Sequence, residues 1–296
     1  MQPVPRTFLK WFRRVNDPAA APTISGQARL TAPFGAALVA LIGWLVITPA
    51  WAEGPALPEA GLTALGQSPV VSVIDGDTLK LADGREVRLV GIQAPKLPLG
   101  RPNFPTWPLA EEAKAALERL AQGRTLKLFA GGTATDRYGR TLAQLEREDG
   151  LWIQAAMIRS GMARAYSFPD NRALATDLLG YEREARAAGR GIWSDPYYRV
   201  RKPTELGDAT DSFQLVEGRV VSAAKPQSRL YLNFGTDWKT DFTVAIDAKA
   251  LRLFKADGLD PLTWEGHRLR VRGWIKSFNG PLIDVTHPEQ IEVLEE

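Results

Sequence analysis

The sequence predicts a mainly β protein with helices, arranged as two successive β-rich parts. Three observations carry that reading. Short stretches alternate apolar and polar residues and are separated by Asp-Gly turns, as strands in hairpins do. Between residues 109 and 188 lie three segments of helical character, followed by Gly123, Gly161 and Gly189. After a Pro-containing join, residues 213–296 read as five further strands with one helical piece between the third and fourth. A chain of 296 residues suits about two domains. With no cysteine, disulfides and thiolate metal sites are excluded.

The amino terminus reads separately. Residues 1–52 hold five bases (Arg6, Lys10, Arg13, Arg14, Arg29) against one acid, Asp17. An apolar run over 34–47 follows, bounded by Pro33 and Pro49, and ends at Ala50-Trp51-Ala52. A basic leader, a short apolar run and a small-x-small terminus predict a secretory signal cleaved after Ala52. The run is short of the roughly 20 residues that span a bilayer, but the long leader leaves an uncleaved anchor as the alternative. The expected location is accordingly periplasmic or secreted, or else anchored by this segment.

The formal net charge of +3 is unevenly spread. Residues 68–201 hold 20 bases and 16 acids, a net of +4, and residues 202–296 hold 12 bases and 15 acids, a net of −3. A polyanionic partner therefore suits the first β part, through a modest field.

In chain order, residues 53–67 are rich in Gly, Pro and Ala and read as a linker. Residues 70–74 form a strand and 78–81 its hairpin partner. Asp83-Gly84 is a second turn signal, and 86–92 form the third strand, with Arg88 on the side of Glu86 and Val90. A Pro-rich loop over 96–108 carries Phe104 and Trp107. In the helix over 109–121, Leu109, Ala113, Leu117 and Leu120 make one apolar stripe. Glu111 and Glu112 lie in its first turn, where acids suit the helix dipole. Strands over 125–129 and 141–145 flank the loop 136–140, and helices follow over 151–160 and 174–188. The first β domain is expected over 68–202, a second linker over 203–211 and the second domain over 212–296.

Three pieces of this chain combine into one chemical inventory. They are Ile74-Asp75-Gly76-Asp77-Thr78, then Arg88-Leu89-Val90-Gly91-Ile92-Gln93-Ala94-Pro95-Lys96, then Asp136-Arg137-Tyr138-Gly139-Arg140. Clustered carboxylates at a turn offer oxygen ligands to a hard cation. Arginine forks suit bidentate recognition of phosphate. Together they read as a phosphodiester site.

With the closing Gly189-Arg190-Gly191-Ile192-Trp193, the ordered motifs resemble the staphylococcal nuclease (thermonuclease) family over about residues 69–193. The resemblance implies a five-stranded barrel of the oligonucleotide-binding type with three helices, and calcium-dependent endonucleolytic hydrolysis of DNA or RNA. It implies that Asp77 is a direct calcium ligand, with Asp75 one layer further out. Arg88 and Arg140 would hold the scissile phosphate and offset the charge growing on it during attack. Arg137, Tyr138 and Tyr166 match residues contacting a neighbouring phosphate and nucleotide, and Phe168 stands where a stacking tyrosine is usual. The expected partner is single-stranded DNA or RNA.

Two positions depart from the family. Gln93 stands where Asp is usual and offers only a neutral amide oxygen, a weak candidate ligand. Lys96 stands where the family has the Glu that acts on the attacking water; a lysine there repels a metal ion and is not a ready base. Three outcomes follow. Glu111 or Glu112 substitutes as the carboxylate, Lys96 replaces the metal as an electrostatic stabiliser, or the site binds phosphate without cutting. The expected protein is thus an exported nuclease-like phosphodiesterase with an altered, weakened calcium site. The alternatives are a catalytically impaired nucleic-acid or phosphate-binding module and an envelope interaction protein.

The strand order of the second part suggests a second, smaller barrel of the oligonucleotide-binding type. Its strands are expected over 215–222, 229–234, 242–246, 269–276 and 282–285, with 291–294 extending the last. Tyr231, Phe234, Trp238 and Phe242 are candidates for base stacking, although strand aromatics are usually core; a protein or cell-wall partner is equally open. His267 and His287 lie beside no carboxylate cluster and read as structural.

Overall fold

A computed structural model of the chain describes residues 54–295 apart from Trp238; the predicted leader and its apolar run lie outside the described residues. The first strand, β1, runs Thr63–Asp75, longer than its alternation predicts. Its early half comes from the Gly- and Ala-rich stretch read as linker, and it pairs with Thr125–Ala130 from Thr63↔Ala130 onward. The ladder to that partner overrides weak local propensity. A register shift between Ala64 and Gln67 accommodates Gly66 at φ 89°.

Strands β2 (Thr78–Leu81) and β3 (Glu86–Leu89) follow. The single strand expected over 86–92 is broken, because Gly91 adopts φ 85° and turns the chain off the barrel into β4 (Gly91–Gln93). A side chain at Gly91 would also meet Leu178, 2.6 Å away. Then come α1 (Ala110–Ala121), β5 (Thr125–Ala130), β6 (Thr141–Arg147), α2 (Ile153–Arg159), β7 (Arg164–Tyr166) and α3 (Ala175–Ala187). The three helices fall within two residues of their predicted ends.

Strands β1-β2-β3-β6-β5 form a closed barrel, and β4 pairs only with β7. Alternation fills the barrel with Val73, Leu79, Leu81, Val87, Leu89, Leu126, Leu128 and Leu145, all buried. One helix, α1, adds Ala113 and Leu117, and α2 adds Ile153 and Met157, to the same apolar cluster. Burying each such aliphatic side chain contributes about 1.5–3 kcal/mol.

The second part contains β8 (Phe213–Arg219), β9 (Ser222–Ala224), β10 (Leu230–Asn233), β11 (Thr243–Ile246), α4 (Ala248–Ala256), β12 (Arg268–Ser277), β13 (Pro281–Val285) and β14 (Ile291–Glu295). They make one seven-stranded sheet. The ten-residue β12 is its spine, pairing with β8 along residues 268–274, with β14 along 268–271 and with β13 along its last three residues. That change of partner curls the sheet into a half-barrel. The segment expected to extend β13 is instead a separate strand. A turn at Pro288–Gln290 reverses the chain and sets β14 against β12. Leu206 and Ala209, from the stretch read as a second linker, are buried in this part's own core.

Both β parts belong to one compact unit. Their seam is polar and buried. Arg272 of β12 donates to both carboxylate oxygens of Glu182 on α3, at 3.0 and 2.9 Å, and to Glu292 at 2.8 Å. Glu182 also accepts from the Ala165 amide at 2.7 Å.

Candidate functional site

The turn from β1 to β2 carries the carboxylates. Asp75 pairs with Thr78 across it, and the Asp75 Oδ1 accepts from the Gly76 amide at 2.9 Å. Only glycine fits between them, since a Cβ on Gly76 would lie 2.7 Å from Ala94 and 2.9 Å from Ala113. The Asp-Gly hairpin turn is therefore a tightly packed one, with the segment after β4 and α1 lying against it.

Asp77 is fully buried. Its Oδ2 accepts from the Ala94 amide at 2.9 Å, and the Arg88 guanidinium stands 3.2 Å from that oxygen. The Lys96 ammonium donates to both Asp77 oxygens at 2.6 Å and to Asp75 Oδ2 at 3.1 Å. Burial by itself would raise the Asp77 carboxyl; Arg88, Lys96 and the Ala94 amide outweigh it and hold the group below the ordinary carboxylate range. The break after β3 makes this possible, because it carries residues 93–96 across the barrel end to the turn.

Arg88 is held mostly by backbone. It donates to the carbonyls of Asp77 (3.2 Å), Leu89 (2.6 Å) and Ile92 (2.7 Å). Arg140 enters the neighbouring strand, where Thr141 pairs with Val87 and Leu142 with Arg88. The Asp136 carboxylate organises its loop, accepting from the Tyr138 and Arg140 amides at 2.9 and 3.0 Å and from Arg140 Nε at 2.8 Å. Burial would raise the Asp136 carboxyl, and these bonds with the Arg140 charge lower it overall. Arg137 and Tyr138 stand exposed beside it, the Arg137 guanidinium donating to the Tyr138 hydroxyl at 2.6 Å.

Gln93 is turned elsewhere. Its Oε1 accepts from Arg164 Nε at 2.9 Å and Nη2 at 2.6 Å. Arg164 is buried, it also donates to the Phe213 carbonyl at 3.3 Å, and burial pulls its pKa down to about 10. Gln93 is thus the polar partner of a buried arginine against Phe213, 4.4 Å from the guanidinium carbon. Glu111 and Glu112 stand exposed at the start of α1. Among the described residues no group of three His, Asp or Glu side chains comes together as a metal cage. With an ammonium between the two aspartates and Gln93 committed to Arg164, the residues present do not fit calcium.

Tyr166 and Phe168 meet edge to face, with ring centroids 5.0 Å apart. Of the aromatics weighed for stacking in the second part, Phe234 and Phe242 are buried against each other in its core, and Tyr231 packs under Arg229. Trp238 lies outside the described residues. Trp274 instead reaches Tyr166, its Nε1 donating to the hydroxyl at 3.1 Å. Sequence pattern missed this residue and the buried Arg164, Glu182 and Arg272. His287 has structural partners, Ser167 Oγ at 2.7 Å and Thr286 Oγ1 at 2.9 Å.

A closed five-stranded barrel with three helices, an aspartate turn, one arginine on β3 and a second just before the adjoining β6 defines a nuclease-type barrel. The family model described as staphylococcal nuclease homologue matches residues 86–195. The chain is 35% identical to Protein ParB of Escherichia coli over 172 residues, covering 54% of this chain and 84% of that protein. It is 34% identical to an uncharacterized endonuclease of Escherichia coli over 135 residues, 43% of this chain and 76% of that one. It is 30% identical to the thermonuclease of Staphylococcus intermedius over 145 residues, 48% and 84% of the two. The chain belongs to the staphylococcal nuclease family.

Proposed function

We propose that this protein binds single-stranded DNA or RNA on its nuclease barrel, with the Lys96 ammonium standing where family members hold a divalent cation, and that calcium-dependent cleavage is suppressed. One observation carries the reading: Lys96 Nζ lies 2.6 Å from both oxygens of Asp77 and 3.1 Å from Asp75. An incoming calcium ion would have to displace that ammonium and lose its attraction to the aspartates. A unit charge about 4 Å away is worth roughly 4 kcal/mol at an effective dielectric near 20. The ammonium is an internal counter-charge: with Arg88 it balances Asp75 and Asp77, so a phosphate at the barrel end does not meet an uncompensated pair of carboxylates.

Arg88 and Arg140 are the proposed phosphate contacts. Arg88 is already oriented by three backbone carbonyls and Asp77, and Arg140 by Asp136, so little ordering remains when the phosphate arrives. Arg137 and Tyr138, both exposed, are placed to meet a neighbouring phosphate and nucleotide. The leader ending at Ala52 makes export part of the same proposal.

The test is oligonucleotide affinity in calcium and in chelator, followed in parallel with cleavage of a fluorescent single strand. The expected result is equal affinity in both buffers and no calcium-dependent rate. Rapid cleavage that a chelator abolishes overturns the reading and restores a metal-dependent nuclease.

A further inference from the structure

A cavity of about 270 Å³ opens between the barrel and the second sheet. Its walls come from both: Tyr166 and Phe168 from the barrel side, Trp274 and His287 from the sheet. The volume lies just below the range of about 300–1,000 Å³ that takes drug-sized ligands. It suits one planar ring system better than a longer ligand.

The walls are aromatic and held in place. Tyr166 meets Phe168 and Phe213 edge to face, each with centroids 5.0 Å apart. The Trp274 indole is fixed by its bond to the Tyr166 hydroxyl at 3.1 Å and remains 43% exposed. Phe168 is 48% exposed. Two ordered rings thus stand open at one cavity, the arrangement on which bases of a single strand stack.

The charges around the cavity are already matched. Lys276 is paired with Asp284 at 2.7 Å, and Arg272 with Glu182 and Glu292. The other polar groups of the lining are uncharged, Ser167, His287, Thr286 and Gln290, and hold one another in place through hydrogen bonds. Burial holds the His287 pKa down to about 4, so the ring is neutral near pH 7. Exposed aromatic faces in these largely neutral surroundings suit the face of a nucleobase.

From this juxtaposition we infer that the cavity is a nucleobase subsite, completed by the second sheet, in which Trp274 stacks one base of a strand whose phosphates lie on the barrel. The inference rests on the nucleic-acid reading above and adds to it a specific task for the second β part. A strand pair links the two places: β7 ends in Tyr166, and its hydrogen-bonded partner β4 leads to Lys96.

The experiment measures fluorescence anisotropy of the full mature chain with two labelled twelve-nucleotide probes, oligothymidine and an abasic strand of equal charge. Wild type is expected to bind oligothymidine the more tightly. Trp274→Ala should weaken oligothymidine binding by about five- to a hundredfold, the range of a lost base stack, and leave the abasic strand unaffected. Trp274→Phe, which keeps a ring, should retain most of the affinity and guards against a folding defect. Unchanged oligothymidine affinity in Trp274→Ala, or equal losses for both probes, overturns the subsite and leaves the barrel reading standing. A wild type that binds neither probe overturns both.

Discussion

Lys96 Nζ sits 2.6 Å from both carboxylate oxygens of Asp77, a residue with no solvent exposure. The two residues lie nineteen apart in the chain, and the contact exists because Gly91 breaks the third strand and returns the chain to the turn. The aspartate is thereby neutralised from within the fold.

Reversing that charge should create a calcium response. Lys96→Glu would place three carboxylates at the barrel end, and the Tm should then rise when calcium is added, whereas the wild-type Tm stays flat. Adding Gln93→Asp should increase the response less than Lys96→Glu alone does, since Arg164 already claims position 93 through bonds of 2.6 and 2.9 Å. Restoring a positioned base should also raise cleavage, an effect of order 10²–10⁴-fold where the base acts. Calorimetry with calcium and a strand-cleavage assay check both. A wild type that already binds calcium tightly would refute the argument.

Arg140→Ala should weaken oligonucleotide binding about tenfold or more, the value of a lost hydrogen bond to a charged group, roughly 1.5–3 kcal/mol. Arg88→Ala should weaken it similarly and also lower stability, because Arg88 satisfies the carbonyls of Asp77, Leu89 and Ile92. Anisotropy and urea unfolding separate the two effects. Full affinity in both variants with the fold intact would remove the phosphate role.

The barrel was legible because its strands alternate and its turns are marked: Asp75-Gly76 and Asp83-Gly84 sit where the hairpins close. The helices were legible from apolar spacing and from the glycines that follow them. The break at Gly91 was not, because it depends on β7, some seventy residues later, as Gly91 pairs with Tyr166. Long-range polar pairs leave no local trace either. Gln93 and Arg164 are 71 residues apart, and Glu182 and Arg272 are 90. Position 93 therefore looked like a weakened metal ligand, while its side chain belongs to the seam with the second part. The strand aromatics Phe234 and Phe242 had the composition of a stacking surface but the burial of a core. Trp274, which is exposed, carried no distinguishing pattern.

The seam should be fragile to single changes. Arg272→Met leaves Glu182 buried with Arg186 as its remaining ion-pair partner, at 2.9 Å. Breaking a buried pair by removing one partner costs about 3–5 kcal/mol, and the midpoint of urea unfolding should fall accordingly. Replacing both residues together, Arg272→Met with Glu182→Leu, should recover part of that loss, since the fully buried carboxylate is then gone, and only part of it, since Arg186 loses Glu182 and Glu292 loses Arg272. A single variant as stable as wild type would show that the seam contributes little.

Acid should weaken the fold through His287 before it does so through the carboxylates. Burial lowers the His287 pKa from the ordinary 6.5 to about 4. Above 6.5 the ring is neutral in both folded and unfolded chains, and it has no effect on stability. Between 6.5 and 4 the unfolded chain takes up the proton and the folded one does not, so stability falls as pH falls. The loss is about 2 kcal/mol at pH 5 and approaches about 3 kcal/mol below pH 4, at 1.36 kcal/mol per pKa unit. Asp77 and Glu182 act in a different window. Their folded pKa values are lowered, by Arg88 and Lys96 for one and Arg272 for the other, so their contribution is lost only below the ordinary carboxylate range. His287→Gln should therefore flatten the stability profile between pH 7 and pH 5 while leaving the fall below pH 4 in place. Urea unfolding of both proteins at pH 7, 5 and 3.5 measures this, and an unchanged slope between pH 7 and pH 5 in the variant would assign the acid sensitivity to another group.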